Sequence, residues 1–245
     1  MKFDLYLALG DSVSIDFYPA QDAGKQTSSH NENLGAASLL LRNDRLLFPE
    51  FKGQDLSSHC EKLTFQNLAV DGATTFDLLE RLDDLRALKD RSALVTLTIG
   101  GNDLLQSLRL SGGNGKILIA EVERIQERIS EIADQIQLKL PDSYLILNTV
   151  YDPTDGTGTF TDSAIFDQKL PVELLQYLNF LMTRLSFSPR RVLCDIHKHF
   201  LGHGMLSPSQ EDFWYWRPNP IEPGYRGASE IRRLWWKIVE PLVLF

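Results

Sequence analysis

The chain has 245 residues, 43% hydrophobic and 24% charged, and a net charge of −8; this is ordinary globular composition, enough for one substantial core, and predicts a single domain over residues 1–245. The acidic balance excludes a general polyanion binder, because neutralising phosphates takes clustered Lys and Arg, so nucleic acid is not an expected partner. Cys60 and Cys194 show no C-x-x-C spacing and read as reduced thiols, no window is apolar for long enough to span a bilayer, and MKFDLYLALGDS lacks a signal-peptide core, so the expected setting is cytoplasmic.

In chain order, residues 3–9 form an apolar run that reads as a buried strand and breaks at Gly10 into Asp11-Ser12. A hydroxyl on a glycine turn after a core strand is either a helix N-cap or a nucleophile, and the rest of the chain has to decide between them. Residues 18–33, YPAQDAGKQTSSHNEN, are polar and read as a long surface loop. Further strands are predicted at 63–68, 93–99, 144–150 and 191–195. All are apolar enough to be buried on both faces, as parallel strands are. The clearest helix covers 116–140: Leu118, Val122, Ile125, Ile129, Ile132 and Ile136 step by fours and threes, Glu121, Arg124, Glu127, Arg128 and Glu131 fill the other face, and Pro141 stops it. That stripe suits packing on a sheet or a partner seam. The last helix begins near 228 and carries Ile231, Leu234, Trp235, Ile238 and Val239 on one side. Strands alternating with helices predict an α/β, doubly wound sheet. In such sheets ligands bind beyond the carboxyl ends of the strands, so chemistry is to be sought in the loops that follow them.

Those loops carry unusual residues. Gly10-Asp11-Ser12 follows the first strand, NLAVDGATT with Asn67 and Gly72 the second, TIGGNDLL with Gly100, Asn102 and Asp103 the third, and a long Pro-, Gly- and aromatic-rich connection, 202–227, lies beyond the fifth. Acyl transfer needs a hydroxyl nucleophile, a base and donors aimed at the oxygen that becomes negative. Ser12 can attack. The backbone N–H groups of Ser12 and Gly72 and the side-chain amide of Asn102 can hold the oxyanion, with Asp11 and Asp103 in support.

With these blocks in this order the sequence resembles the SGNH hydrolases, the GDSL-type esterases and lipases. Gly10-Asp11-Ser12 matches their nucleophile block, Gly72 their second, and Gly100-Gly101-Asn102-Asp103 their G-x-N-D block. The resemblance implies a three-layer α/β/α sandwich with a mainly parallel, flavodoxin-like, five-stranded sheet, a small-molecule ester as substrate and no metal cofactor. The last block departs from it. Where the family has D-x-x-H-P, with the histidine as base and the aspartate orienting it, NPIEPGYRG places Asn219 and Glu222, with Pro223 and Gly227 still in register.

Two replacements for the missing base stand side by side. Glu222 would serve if burial raised its pKa, and the aromatic run Phe213 to Trp216 either walls it in or is plain packing. His203, between Gly202 and Gly204, would swing over Ser12 from the same loop, oriented by Glu222. Asp195, His197, His199 and His203 are also four potential metal ligands, the first three on one face if the strand continues, but no established metal spacing is present and no metal is expected. The expected function is hydrolysis of a carboxylic ester through an acyl-enzyme on Ser12; the alternative is a binding protein of the same fold that has lost its base. Substrate identity and oligomeric state are not written in the sequence.

Overall fold

The computed structural model describes residues 3–24, 33–111, 114–160, 169–188 and 190–244. Five strands, β1 (Leu5–Gly10), β2 (Thr64–Asn67), β3 (Ala93–Thr98), β4 (Ser143–Asn148) and β5 (Arg191–Cys194), form one sheet in the order β2-β1-β3-β4-β5. Every pairing is parallel, and Gly10 at the end of β1 lies opposite Thr98 at the end of β3. β1 and β3 are buried residue by residue along their whole length, which is why they read as unbroken apolar runs and not as alternating ones.

Side chains alternate across the sheet and each face has its own core. Leu5, Leu7 and Leu9 of β1 join Val95, Leu97, Leu145 and Leu147 under α3 (Thr75–Arg81), α5 (Gly115–Lys139) and α6 (Val172–Met182). Tyr6 and Ala8 join Leu94 and Ile146 under α1 (Phe17–Ala23), α2 (Ala36–Leu41) and α8 (Tyr225–Leu244). The result is three layers, helices on sheet on helices. The six apolar positions of the 116–140 stripe are all buried, five of them in the sheet core and Leu118 in a small cluster with Leu108, Phe160 and Leu170, so that face is packing and not a free seam. Asn114 caps α5 by accepting from the Lys116 N–H, and the helix ends before Pro141.

Three expectations need correction. The stretch predicted as loop from 18 opens with all of α1 but its first residue, and residues 25–32 of it lie outside the described residues. α1 is not evident locally because it is held by distant contacts: the Tyr225 N–H donates to Asp22 at 3.2 Å, and any Cβ on Gly224 would stand 2.4 Å from the same carboxylate. β5 ends at Cys194, and Asp195 caps α7 (Ile196–Phe200) by accepting from the Lys198 N–H. Asp195, His197 and His199 therefore do not share a strand face, because the cap converts the extended chain into a helical turn. Among the described residues no group of three His, Cys, Asp or Glu side chains is placed to hold a metal ion, and no helix is long and apolar enough to cross a membrane.

Candidate active site

The carboxyl ends of β1, β3 and β4 border one hollow, and the loop after β2 with Gly72 runs beside the β1 turn without lining it. Gly10 leaves β1 at φ +118°, where a Cβ would stand 1.7 Å from the Thr98 carbonyl oxygen, so only glycine lets β1 turn this close to β3. The Asp11 N–H then donates to that carbonyl at 2.8 Å. The Asp11 carboxylate accepts from the Val13 N–H at 3.2 Å and caps a single 3₁₀ turn, Ser12–Ser14, whose first residue is the candidate nucleophile. Both readings of the glycine turn are thus present, on adjacent residues: Asp11 is the cap, and Ser12 lines the cavity. The turn is fixed from two sides, by Ser14 Oγ against Thr98 Oγ1 at 2.9 Å and by Asn67 Nδ2 donating to the Ser14 carbonyl at 2.8 Å.

After β2 the chain stays beside the nucleophile turn, the Val70 N–H donating to Gly10 at 3.0 Å, and then reverses through Gly72 at φ +72°. Thr74 caps α3 in a reciprocal box with Asp77. Asn102, in the first turn of α4 (Gly101–Ser111), donates from Nδ2 to the Ala73 carbonyl at 3.1 Å, so the amide and the Gly72 turn are stitched together. The neighbouring Asp103 is buried. It accepts from the Thr75 N–H at 2.9 Å, from Thr75 Oγ1 at 2.5 Å and from Arg128 Nη2 at 3.3 Å. Asp103 thereby clamps the starts of α3 and α4 to each other, and it holds the Gly72 and Asn102 segments in one register without reaching the cavity itself.

Glu222 arrives from the opposite side on a tightly bonded loop. Its N–H donates to the Asn219 carbonyl at 3.0 Å, its carbonyl accepts from the Trp216 N–H at 2.8 Å, and Tyr215 bridges Pro223. Tyr151 Oη donates to the Ile221 carbonyl at 2.7 Å and fixes the loop over β4. The aromatic run is therefore the strand-like partner of the Glu222 loop, and Asn219 supplies a turn carbonyl.

Ser12, Asn102 and Glu222 all line one cavity of about 90 Å³, closed by apolar side chains of α4, α6 and the loops after β4 and β5. The DPTDGTG segment borders it through Asp152 and Pro153. Glu222 is 6% exposed and its Oε2 has no hydrogen-bond partner among the described residues. Burial raises its pKa to about 7; the nearby Ser12 hydroxyl pulls the value down, and the Asp71 charge pushes it up. Asp11 is also raised to about 7, mainly by burial, with Thr98 and the Val13 N–H opposing and the charges of Glu222 and Asp103 adding.

His203 is not brought to Ser12. Its ring lies flat on Trp214, centroids 3.4 Å apart and planes 4° from parallel, its Nδ1 meets the Asp212 carbonyl at 2.9 Å, and it does not line the cavity. Of its two flanking glycines Gly204 is packed, a Cβ there standing 2.2 Å from the Pro153 carbonyl oxygen, while Gly202 turns in open space at φ +88°. His199 pairs with Glu230 at 2.9 Å. Two contributors escaped the sequence reading. Tyr18 Oη donates to Asp71 at 2.9 Å while its ring rests against Trp216, tying the Gly72 turn to the Glu222 loop, and the start of α6 supplies Val172 and Leu175 to the cavity wall. Nothing local marks the first pair; the Pro171 start followed by an apolar run was a usable signal for α6.

The profile of the GDSL-like lipase/acylhydrolase family matches residues 8–221, which takes in the first three blocks and stops one residue short of Glu222. Among curated proteins none matches. Solved structures do. The chain is similar to LAE5, an alpha/beta hydrolase enzyme from the metagenome of Lake Arreo, Spain, at 19% identity over 97% of this chain and 95% of that one, TM-score 0.63. It is similar to the lipase/acylhydrolase of Enterococcus faecalis at 16% identity over 99% and 97%, TM-score 0.60, and to the lipase Lip_vut3 from a goat rumen metagenome at 19% over 94% and 95%, TM-score 0.59. With the three blocks assembled at the carboxyl ends of β1 to β3 and the family profile spanning most of the sequence, the chain belongs to the GDSL-like lipase/acylhydrolase family.

Proposed function

We propose that this chain, folded as one domain, hydrolyses a carboxylic ester through an acyl-enzyme on Ser12, with Glu222 as the base that moves its proton. The observation that carries the reading is the buried Glu222 carboxylate in the cavity that Ser12 and Asn102 also line. Ionised Glu222 takes the hydroxyl proton as Ser12 Oγ bonds to the ester carbonyl carbon. The negative charge passes to the carbonyl oxygen, where the Ser12 and Gly72 N–H groups and Asn102 Nδ2 stabilise it. Collapse breaks the bond to the alcohol oxygen, which takes the proton from Glu222; the same cycle with water as the attacking group releases the acid and restores Ser12.

A carboxylate of ordinary basicity is a poor base for a serine. Raising Glu222 from 4.5 to about 7 strengthens its hold on a proton by about 3 kcal/mol, which brings it to the basicity of an imidazole. The means are burial and, to a smaller extent, the Asp71 charge, so the apolar wall does for Glu222 what choice of residue does for a histidine. Two free cysteines, Cys60 and Cys194, support a reducing, cytoplasmic setting. The rival reading, a ligand-binding protein without turnover, draws on Asn219 and on the sequestered ring of His203. Hydrolysis of a chromogenic short-chain ester decides between them: turnover that Ser12→Ala abolishes supports the esterase, and turnover that survives Ser12→Ala refutes the mechanism.

A further inference from the structure

On the reading that Ser12 is acylated, we infer that the cavity beside it is an acyl pocket for a short, uncharged group of up to about four carbons. The walls are apolar: Leu104 and Leu105 of α4, Leu175 of α6, Ile196 at the start of α7 and Ile221 from the loop that precedes α8. The charged side chains that line it are Asp11, Asp152 and Glu222, and among the described residues no Lys, Arg or His joins them. Asp152 is turned inward to its own loop, accepting from the Thr154 N–H at 2.8 Å and the Gly156 N–H at 2.9 Å, so it offers negative potential and no donor. A carboxylated or phosphorylated acyl group would meet only carboxyls there.

Size sets the other limit. A cavity of about 90 Å³ is roughly three-fifths of the ~150 Å³ that accommodates benzene in a protein core, and six ring carbons scaled by that ratio come to about four. The closing groups are packed: Leu104 and Leu175 belong to the sheet core shared with α5, so the far wall does not yield without disturbing that core. Longer chains therefore have to leave part of their length in water.

The test is the acyl-length dependence of kcat/KM for 4-nitrophenyl acetate, butyrate, hexanoate and octanoate, with methyl butyrate against monomethyl succinate as the charge pair. The pocket predicts a rise of about fourfold per methylene up to butyrate, a fall of at least tenfold from butyrate to octanoate, and succinate slower than butyrate by a hundredfold or more. Leu175→Ala should move the optimum to hexanoate or beyond, and Leu105→Trp, at a half-buried position that tolerates change, should move it to acetate. A wild-type profile that is flat or still rising at octanoate, an optimum that follows the alcohol in place of the acyl group, or equal rates on the charge pair overturns the assignment while Ser12-dependent turnover leaves the esterase reading standing. Absence of turnover on every ester, together with no reaction of Ser12 with ethyl or octyl fluorophosphonates, overturns both.

Discussion

The pH dependence of turnover isolates the most unusual element of the proposed mechanism, a carboxylate acting as the base. Glu222 must be ionised to accept the Ser12 proton, so kcat/KM should follow the fraction of free enzyme with that group deprotonated. With burial holding the pKa at about 7, activity rises through pH 7 and levels above it; at pH 5, about two units below, it falls roughly a hundredfold. An unperturbed glutamate near 4.3 would leave the rate almost flat between pH 6 and 8. Glu222→Gln keeps the shape of the side chain and removes the base, and the expected loss in kcat is about 10²–10⁴-fold with the pH step abolished. Asp71→Asn is the electrostatic control. The Asp71 charge helps raise Glu222, so removing it should shift the acid limb to lower pH, by no more than about 0.7 unit because a surface charge at close range is worth at most ~1 kcal/mol. The assay is initial-rate hydrolysis of a 4-nitrophenyl ester from pH 5 to 9, read at the isosbestic wavelength of the leaving group. A Glu222→Gln protein that keeps both its rate and the wild-type pH step would refute the assignment.

Asn102→Ala should lower kcat about 10²–10³-fold with little change in KM, because the lost donor acts on charge that exists only in the transition state; steady-state kinetics on the same ester checks it. His203→Ala should leave kcat/KM within about threefold while destabilising the protein by ~1 kcal/mol, through loss of the Trp214 stack and the Asp212 hydrogen bond; a large loss of activity with an unchanged melting temperature would return His203 to the site. Gly10→Ala should fail to fold or lose several kcal/mol in chemical denaturation, since its Cβ would stand 1.7 Å from the Thr98 carbonyl oxygen.

What the sequence revealed, and what it hid, follows from how far each feature reaches along the chain. β1, β3 and β4 were legible to within a residue or two because burial on both faces leaves an apolar run, and α5 because Leu118 to Ile136 repeat at helical spacing; the edge strands β2 and β5 were placed as closely, but β2 has no fully buried residue and β5 is only partly buried. α1 was hidden, since Asp22 is held by Tyr225 across 203 positions, as was the turn at Asp195, where a cap outweighs the strand pattern before it. The nucleophile and amide blocks were readable from glycine turns that only one backbone geometry explains. The link between Tyr18 and Asp71 was not, because two residues 53 apart carry no local sign of each other. Glu222 was legible as a substitution in register, but its raised pKa arises from walls contributed by several elements, and no single segment encodes it.

The central claim is that Ser12 is a nucleophile activated by Glu222, and covalent capture tests it without any assumption about the substrate. The measurement is the rate and site of labelling by a short-chain alkyl fluorophosphonate, followed by intact mass and peptide mapping, in wild type, Ser12→Ala and Glu222→Gln. The account predicts one adduct per chain on Ser12, none in Ser12→Ala, and labelling slowed at least a hundredfold in Glu222→Gln. A correctly folded wild type that takes no label, or takes it equally fast with Glu222 replaced, would contradict it.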